Sequence, residues 1–263
     1  MNLKGKNVLL TGASGGIGST IGKQLAQEGC HLLLADRKEA TLLSTQNQLI
    51  AIQGRHQIIV ADINSSSGRS DIVSHAQQAN IDIVINAAGI LDFQLLEYQN
   101  TEIMELTLTT NLVSPILLCH DLIPQLKTRP EAAIVNLGSI FGSIGHPGFS
   151  VYCASKAGLR GFTEALRREL SDTAIEVKYL APRATATRLN SNTITELNKA
   201  LGNKTDEPEH VAECLIKLLT SNKNEIYMGW PEKLFVRVNA LFPNIVHKAL
   251  VKQLDTIKRF AQQ

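Results

Sequence analysis

The sequence predicts an α/β fold. It reads as one doubly wound sheet of about seven parallel strands flanked by helices, followed by a C-terminal helical extension. Three observations predict this. Short apolar runs alternate with longer amphipathic ones along 263 residues, the rhythm of βαβ units. A glycine-rich turn, Thr11-Gly12-Ala13-Ser14-Gly15-Gly16-Ile17-Gly18, follows the first run and opens a helix. No repeat, low-complexity tract or linker divides the chain, so residues 1–230 read as one domain and 231–263 as its extension.

The expected strands are residues 7–10, 31–35, 57–61, 81–86, 133–137, 176–180 and 225–228. The expected helices are 16–28, 38–52, 66–78, 102–126, 151–170 and 209–220. In the helix after Val151, Leu159, Phe162, Leu166 and Leu170 recur along one face, as a core-facing helix requires. In the extension, Pro243 separates two helical stretches.

Composition narrows the class. Apolar content of 44% and charged content of 19% are those of a globular protein. A net charge of +2 gives no nucleic-acid signal. Cys30, Cys119, Cys153 and Cys214 have no paired spacing, so they read as reduced thiols in a cytoplasmic protein without structural metal. No h-region with a cleavage site follows the N-terminus, so no signal peptide is expected. No apolar run reaches the roughly 18 residues of a spanning helix.

The glycine turn carries the first functional expectation. Glycines at Gly12, Gly16 and Gly18 let the backbone turn sharply and approach a pyrophosphate. The helix opening beside Ser14 and Ile17 offers free N–H groups to the anion. Asp36 ends the second strand, where a carboxylate can accept hydrogen bonds from adenosine ribose hydroxyls and select NAD. Arg37 reads first as a solvated residue and second as a partner for a 2′-phosphate, so NADP stays open. Asp62 and Ile63, just past the third strand, are candidates to flank the adenine.

Tyr152 and Lys156 are four residues apart, neighbours on one helix side. Ser139 ends the strand before them. A free tyrosine has a pKa of roughly 10, and a nearby cation lowers it toward the range where a general acid/base works. A serine hydroxyl can donate to an oxygen on which charge develops.

With these residues in place, the chain resembles the short-chain dehydrogenase/reductase family. The resemblance covers nearly all of it and weakens after about residue 188. It implies a Rossmann-like fold, with Thr11-Gly12 through Gly16-Ile17-Gly18 as the cofactor turn. Asn86-Ala87-Ala88-Gly89 is similar to the family's structural motif and places Asn86, Ala87 and Gly89 near the cofactor, Asn86 and Gly89 chiefly in a structural role. Asn111, Ser139, Tyr152 and Lys156 match the catalytic tetrad. By resemblance, Tyr152 is the acid/base and Ser139 orients the substrate oxygen. Lys156 lowers the tyrosine pKa and binds the nicotinamide ribose, and Asn111 holds a water of the proton relay.

After the sixth strand the text is Pro182-Arg183-Ala184-Thr185-Ala186-Thr187. Pro182, Thr185 and Thr187 are cofactor-contact candidates. Arg183 replaces the family's glycine and reads first as a solvated side chain, second as a cation for an anionic substrate. Residues 188–207, polar and irregular, correspond to the family's substrate lid. His146 reads first as a solvated loop histidine and second as a pocket wall. In the extension, Leu234, Val238, Leu241, Ile245, Ala249, Leu250, Leu254 and Ile257 form an apolar stripe, with Lys248, Lys252, Lys258 and Arg259 on other faces. Three fates fit it, in this order: packing on its own domain or a partner subunit, lying on an anionic membrane surface, or covering a pocket for a long apolar substrate.

The expected function is hydride transfer between a nicotinamide cofactor, NAD by preference, and a small secondary alcohol or ketone, in a homo-oligomer. An NADPH-dependent 3-oxoacyl reductase is the enzymatic rival. A non-catalytic dinucleotide sensor or interaction protein is the rival of another class, and it has no use for a complete proton-transfer set.

Overall fold

The computed structural model describes residues 1–262. Seven strands form one parallel sheet: β1 (Asn7–Thr11), β2 (His31–Asp36), β3 (His56–Val60), β4 (Ile83–Asn86), β5 (Ala132–Leu137), β6 (Ile175–Ala181) and β7 (Glu225–Tyr227). Their order is β3-β2-β1-β4-β5-β6-β7. The winding reverses between β1 and β4, and such a switch point opens a crevice at the strands' carboxyl ends. The register brings Thr11 beside Asn86 and Asn86 beside Asn136. Gly12, Ala87 and Gly138 therefore leave the sheet along one edge.

The central strands are apolar throughout because helices cover both faces. On one face, α1 (Gly16–Gln27) and α8 (Pro208–Leu219) pack with α2 (Glu39–Asn47) against Leu10, Leu34, Ile85 and Val135. On the other, α3 (Ser66–Gln78), α5 (Ser114–Leu126) and α6 (Ser150–Glu169) enclose Leu9, Leu33, Val84 and Ile134. All four cysteines are free.

The structure corrects four expectations. The helix expected over 102–126 is broken into α4 (Thr101–Leu108), a π-helical turn (Thr109–Val113) and α5. Pro115 has no N–H for the carbonyl of Asn111 and its ring crowds that position, so the wider turn relieves an α-helical conflict. The helix expected over 38–52 ends at Asn47 and continues as turns. The lid holds a helix, α7 (Asn192–Ala200), capped where the Ser191 hydroxyl accepts the Ile194 N–H. The extension has three helices, α9 (Glu232–Leu241), α10 (Pro243–Val251) and α11 (Leu254–Ala261). The stripe on it divides accordingly: Ile257 is buried, while Leu234, Leu241 and Ile245 are exposed.

Candidate active site

A cleft of about 880 Å³ runs along the carboxyl edge of the sheet, from Asp36 and Ile63 to α7 and the α9–α10 pair. Its near half is mostly backbone. Gly12 has φ +65°, and a Cβ there would stand 2.6 Å from Ala88 Cα. A Cβ on Gly18 would strike the Gly12 carbonyl oxygen, and one on Gly16 would meet Thr187 at 2.8 Å. The Thr11 hydroxyl donates to the Ile85 carbonyl and accepts from the N–H groups of Ala87 and Ala88, tying the turn to the end of β4. No side chain caps α1 and no acid occupies its first turn, so its leading N–H groups suit an anion. These features fit a dinucleotide pyrophosphate.

At the outer end, Asp36 accepts from the Ser14 N–H at 3.1 Å and the Ser14 hydroxyl at 2.6 Å, and its other oxygen accepts from the Arg37 N–H. Arg37 is exposed at the cleft edge. Asp62 and Ile63 line the opposite wall. There the Asn64 amide donates to the Thr110 hydroxyl and accepts from Ser114. This clamp joins the loop after β3 to the π-helical turn. Only that turn sets its spacing, so Asn64 and Thr110 escaped the sequence reading.

Asn86 corrects the sequence reading in part. It lines no part of the cleft; its amide donates to Asn136 Oδ1 and Cys119 Sγ in the core. Ala87 and Gly89 do line it.

At the other end of the turn, Lys156 and Tyr152 on α6 meet Ser139 at the end of β5. Lys156 is 5% exposed and donates to the Leu137 carbonyl at 2.9 Å. Burial pushes its ammonium down to about 8. Burial pushes the Tyr152 phenol up to about 12, against the opposing pull of a hydrogen bond with the Ser139 hydroxyl. The Lys156 ammonium stands 5.8 Å from the ring centre, and burial acts on the phenol in the opposite sense to that charge. Beneath Ser139, the Tyr179 hydroxyl meets its N–H at 3.4 Å. Gly138 leaves room for that ring, which a Cβ would strike.

Asn111 is fully buried behind the cleft wall rather than on it. Its oxygen accepts from the Ile90 N–H at 2.8 Å, and its amide donates to the Ile90 carbonyl and to Ser155. The side chain is committed to these partners and does not reach solvent. Gly89 lets it approach, since a Cβ there would lie 3.2 Å from Asn111 Oδ1 and 3.6 Å from Lys156 Nζ.

Arg183 is not the solvated side chain expected, being 13% exposed. Its guanidinium forks to Asp206 at 2.6 and 3.0 Å and reaches Glu232 at 3.0 Å. The pair of carboxylates raises its pKa and consumes its charge. The geometry is a staple between the lid end and α9. Pro182, Thr185 and Thr187 line the cleft, though the Thr185 hydroxyl is spent on the Arg183 carbonyl. His146 is buried, not solvated: its ring stacks on Phe141 at 4.9 Å and lines the cleft. Burial lowers its pKa.

The far half of the cleft is largely apolar, walled by Phe141, Phe149, Ile194, Leu197, Ile245 and Leu250, and Arg188, Asn198, Lys204 and Gln253 also line it.

Comparison with known proteins fits this geometry. Residues 6–198 match the model of the short chain dehydrogenase family. The chain is a short-chain dehydrogenase/reductase. It is 34% identical over 231 residues to the ketoacyl reductase HetN of Nostoc sp., covering 86% of this chain and 79% of that one. It is 30% identical to the 3-oxoacyl-[acyl-carrier-protein] reductase FabG of Rickettsia bellii, covering 86% and 94%. The crystal structure of 3-ketoacyl-(acyl-carrier-protein) reductase from Brucella melitensis complexed with NADH superposes with a TM-score of 0.78 at 26% identity, covering 86% and 95%. As a short-chain dehydrogenase/reductase the chain is an oxidoreductase that uses a nicotinamide dinucleotide on alcohol or ketone groups.

Proposed function

We propose that this enzyme interconverts an apolar secondary alcohol and its ketone, with NAD as the preferred cofactor and Tyr152 as the proton carrier. The observation that carries the reading is convergence. Tyr152, Lys156 and Ser139 meet at the junction of a glycine-built cradle and an apolar chamber in one cleft.

The nicotinamide, when bound, supplies or accepts the hydride. The protein's own groups do the rest. A phenol held near 12 is protonated at neutral pH, so Tyr152 donates its proton to the carbonyl oxygen as the carbonyl carbon is reduced. Oxidation runs the transfer backwards. Ser139 hydrogen-bonds the same oxygen and holds it at the phenol. Lys156 keeps donors beyond its bond to Leu137 for the ribose hydroxyls. Asn111 is a positioning residue that acts through Ile90 and Ser155.

Asp36 supports NAD, since its carboxylate disfavours a 2′-phosphate. Arg37 and the names of the relatives favour a second reading, an NADPH-dependent 3-oxoacyl reductase. Reduction of short and long methyl ketones and of 3-oxoacyl thioesters, each with NADH and NADPH, tests both. Turnover of long apolar ketones with NADH supports the first reading. Thioester turnover confined to NADPH replaces it with the second, and no turnover of any carbonyl sinks both.

A homo-oligomer in the cytoplasm completes the proposal. Ile103, Leu108, Val113 and Leu117 are exposed along α4, the π-helical turn and α5, an apolar face suited to a second copy.

A further inference from the structure

We propose that the α9–α10 pair docks the protein on an anionic lipid bilayer. α9 buries none of its ten residues, and α10 buries only Val246. At their junction Leu241, Phe242 and Ile245 are each at least 60% exposed, Val251 is exposed at the end of α10, and Trp230, Leu234 and Phe235 are exposed at the start of α9. A soluble surface rarely leaves so many large apolar side chains exposed on one short segment.

The charge on this segment selects the occupant. From Trp230 to Lys252 the chain carries Lys233, Arg237, Lys248 and Lys252, all exposed. Its one carboxylate, Glu232, is committed to Arg183. The whole chain is close to balance, with 26 basic and 24 acidic residues. A local excess of cations around aromatic and aliphatic side chains complements anionic headgroups over an acyl layer. A self-complementary protein interface would set those cations against their own copies.

The geometry selects the mode. The two helices are bent by 120° at Phe242, and each is about half the roughly 20 residues that cross a bilayer. They can lie in the interface as two arms but cannot span it. Phe235 and Ile245 also line the cleft, so the docked surface and the apolar chamber are continuous. The consequence, that a membrane-partitioned ketone enters from the lipid side, rests on the function proposed above. The docking itself does not.

The test is co-sedimentation of the full chain with phosphatidylcholine vesicles and with vesicles containing phosphatidylserine, alongside Trp230 fluorescence. The expected result is binding to the anionic vesicles with a blue-shifted Trp230 emission, weakened by high salt. Lys248→Ala/Lys252→Ala should lower the partition roughly thirtyfold. Leu241→Glu/Phe242→Glu should abolish it, with circular dichroism confirming the fold. If the glutamate variant unfolds, the lysine variant decides alone. No binding to either vesicle overturns the proposal. So does binding that neither variant changes. Loss of a dimer in Leu241→Glu/Phe242→Glu by sedimentation velocity, without vesicle binding by the unmodified chain, reassigns the surface to a second copy. Turnover enters none of these readouts, so failure of the docking and failure of the proposed reaction are told apart.

Discussion

The two halves of the cleft are built by different means. The cofactor half is backbone: Gly12 through Gly18 and Ala87 through Gly89 approach so closely that a methyl group at Gly12 or Gly18 would meet main-chain atoms. The substrate half is side chains drawn from the loop after β5, from α6, α7 and the C-terminal helices. A backbone cradle tolerates almost no change and is written in a few contiguous residues. A side-chain chamber can be repacked, and its parts lie more than a hundred residues apart. The chemistry sits at the seam, where Tyr152 and Lys156 face both.

Replacing the seam's proton donor gives the largest effect. Tyr152→Phe should cut kcat/KM by about 10²–10⁴-fold while leaving the cofactor Kd unchanged by fluorescence titration. Near-normal turnover would remove Tyr152 from the reaction.

Arg183→Ala tests whether the chamber is held by a staple. It leaves Asp206 and Glu232 facing each other without their cation, at a cost of about 3 kcal/mol. Thermal unfolding should fall by several degrees, while the KM for an acidic substrate stays flat. A raised KM with unchanged stability would restore a substrate-binding arginine.

Gly12→Ala probes the cradle. A positive φ and the contact with Ala88 cost about 2 kcal/mol, and cofactor affinity should drop with stability. Full affinity would show that the turn has slack.

Asp36→Asn acts at the outer edge of the same half. Kd ratios from titration with both cofactors should move about tenfold toward NADP, about 1.4 kcal/mol. An unmoved ratio would detach Asp36 from the ribose.

The smallest effect is with pH. A depressed Lys156 is charged below about pH 8 and neutral above it, whereas Tyr152 stays protonated to about 12. The kcat/KM for the reduced cofactor should be flat below about pH 7 and decline above about 8. A profile rising through that range would reverse the assignment of the donor.

Legibility follows the same division. The cradle, Asp36 and the Tyr152–Lys156 pair could be read because each depends on local spacing along one turn or one helix. The buried place of Asn111 could not, although Pro115 four residues later carried a signal for the widened helix. Arg183 was misread because its partners Asp206 and Glu232 come from two other segments. His146 was misread because the aromatic rings around it arrive from Phe141 and Phe149. Asn86, placed near the cofactor but chiefly in a structural role, spends its amide on Asn136 across the sheet.

By itself the sequence determined the winding of the sheet, the glycine turn and the residue types able to move a proton and a hydride, because periodicity, glycine conformation and helical spacing act within a few residues. The tertiary structure alone decided the burial of Tyr152 and Lys156, the pairing of Arg183 and the exposure of α9–α10. Those depend on desolvation and on charges brought together from distant segments, and neither exists until the chain has folded.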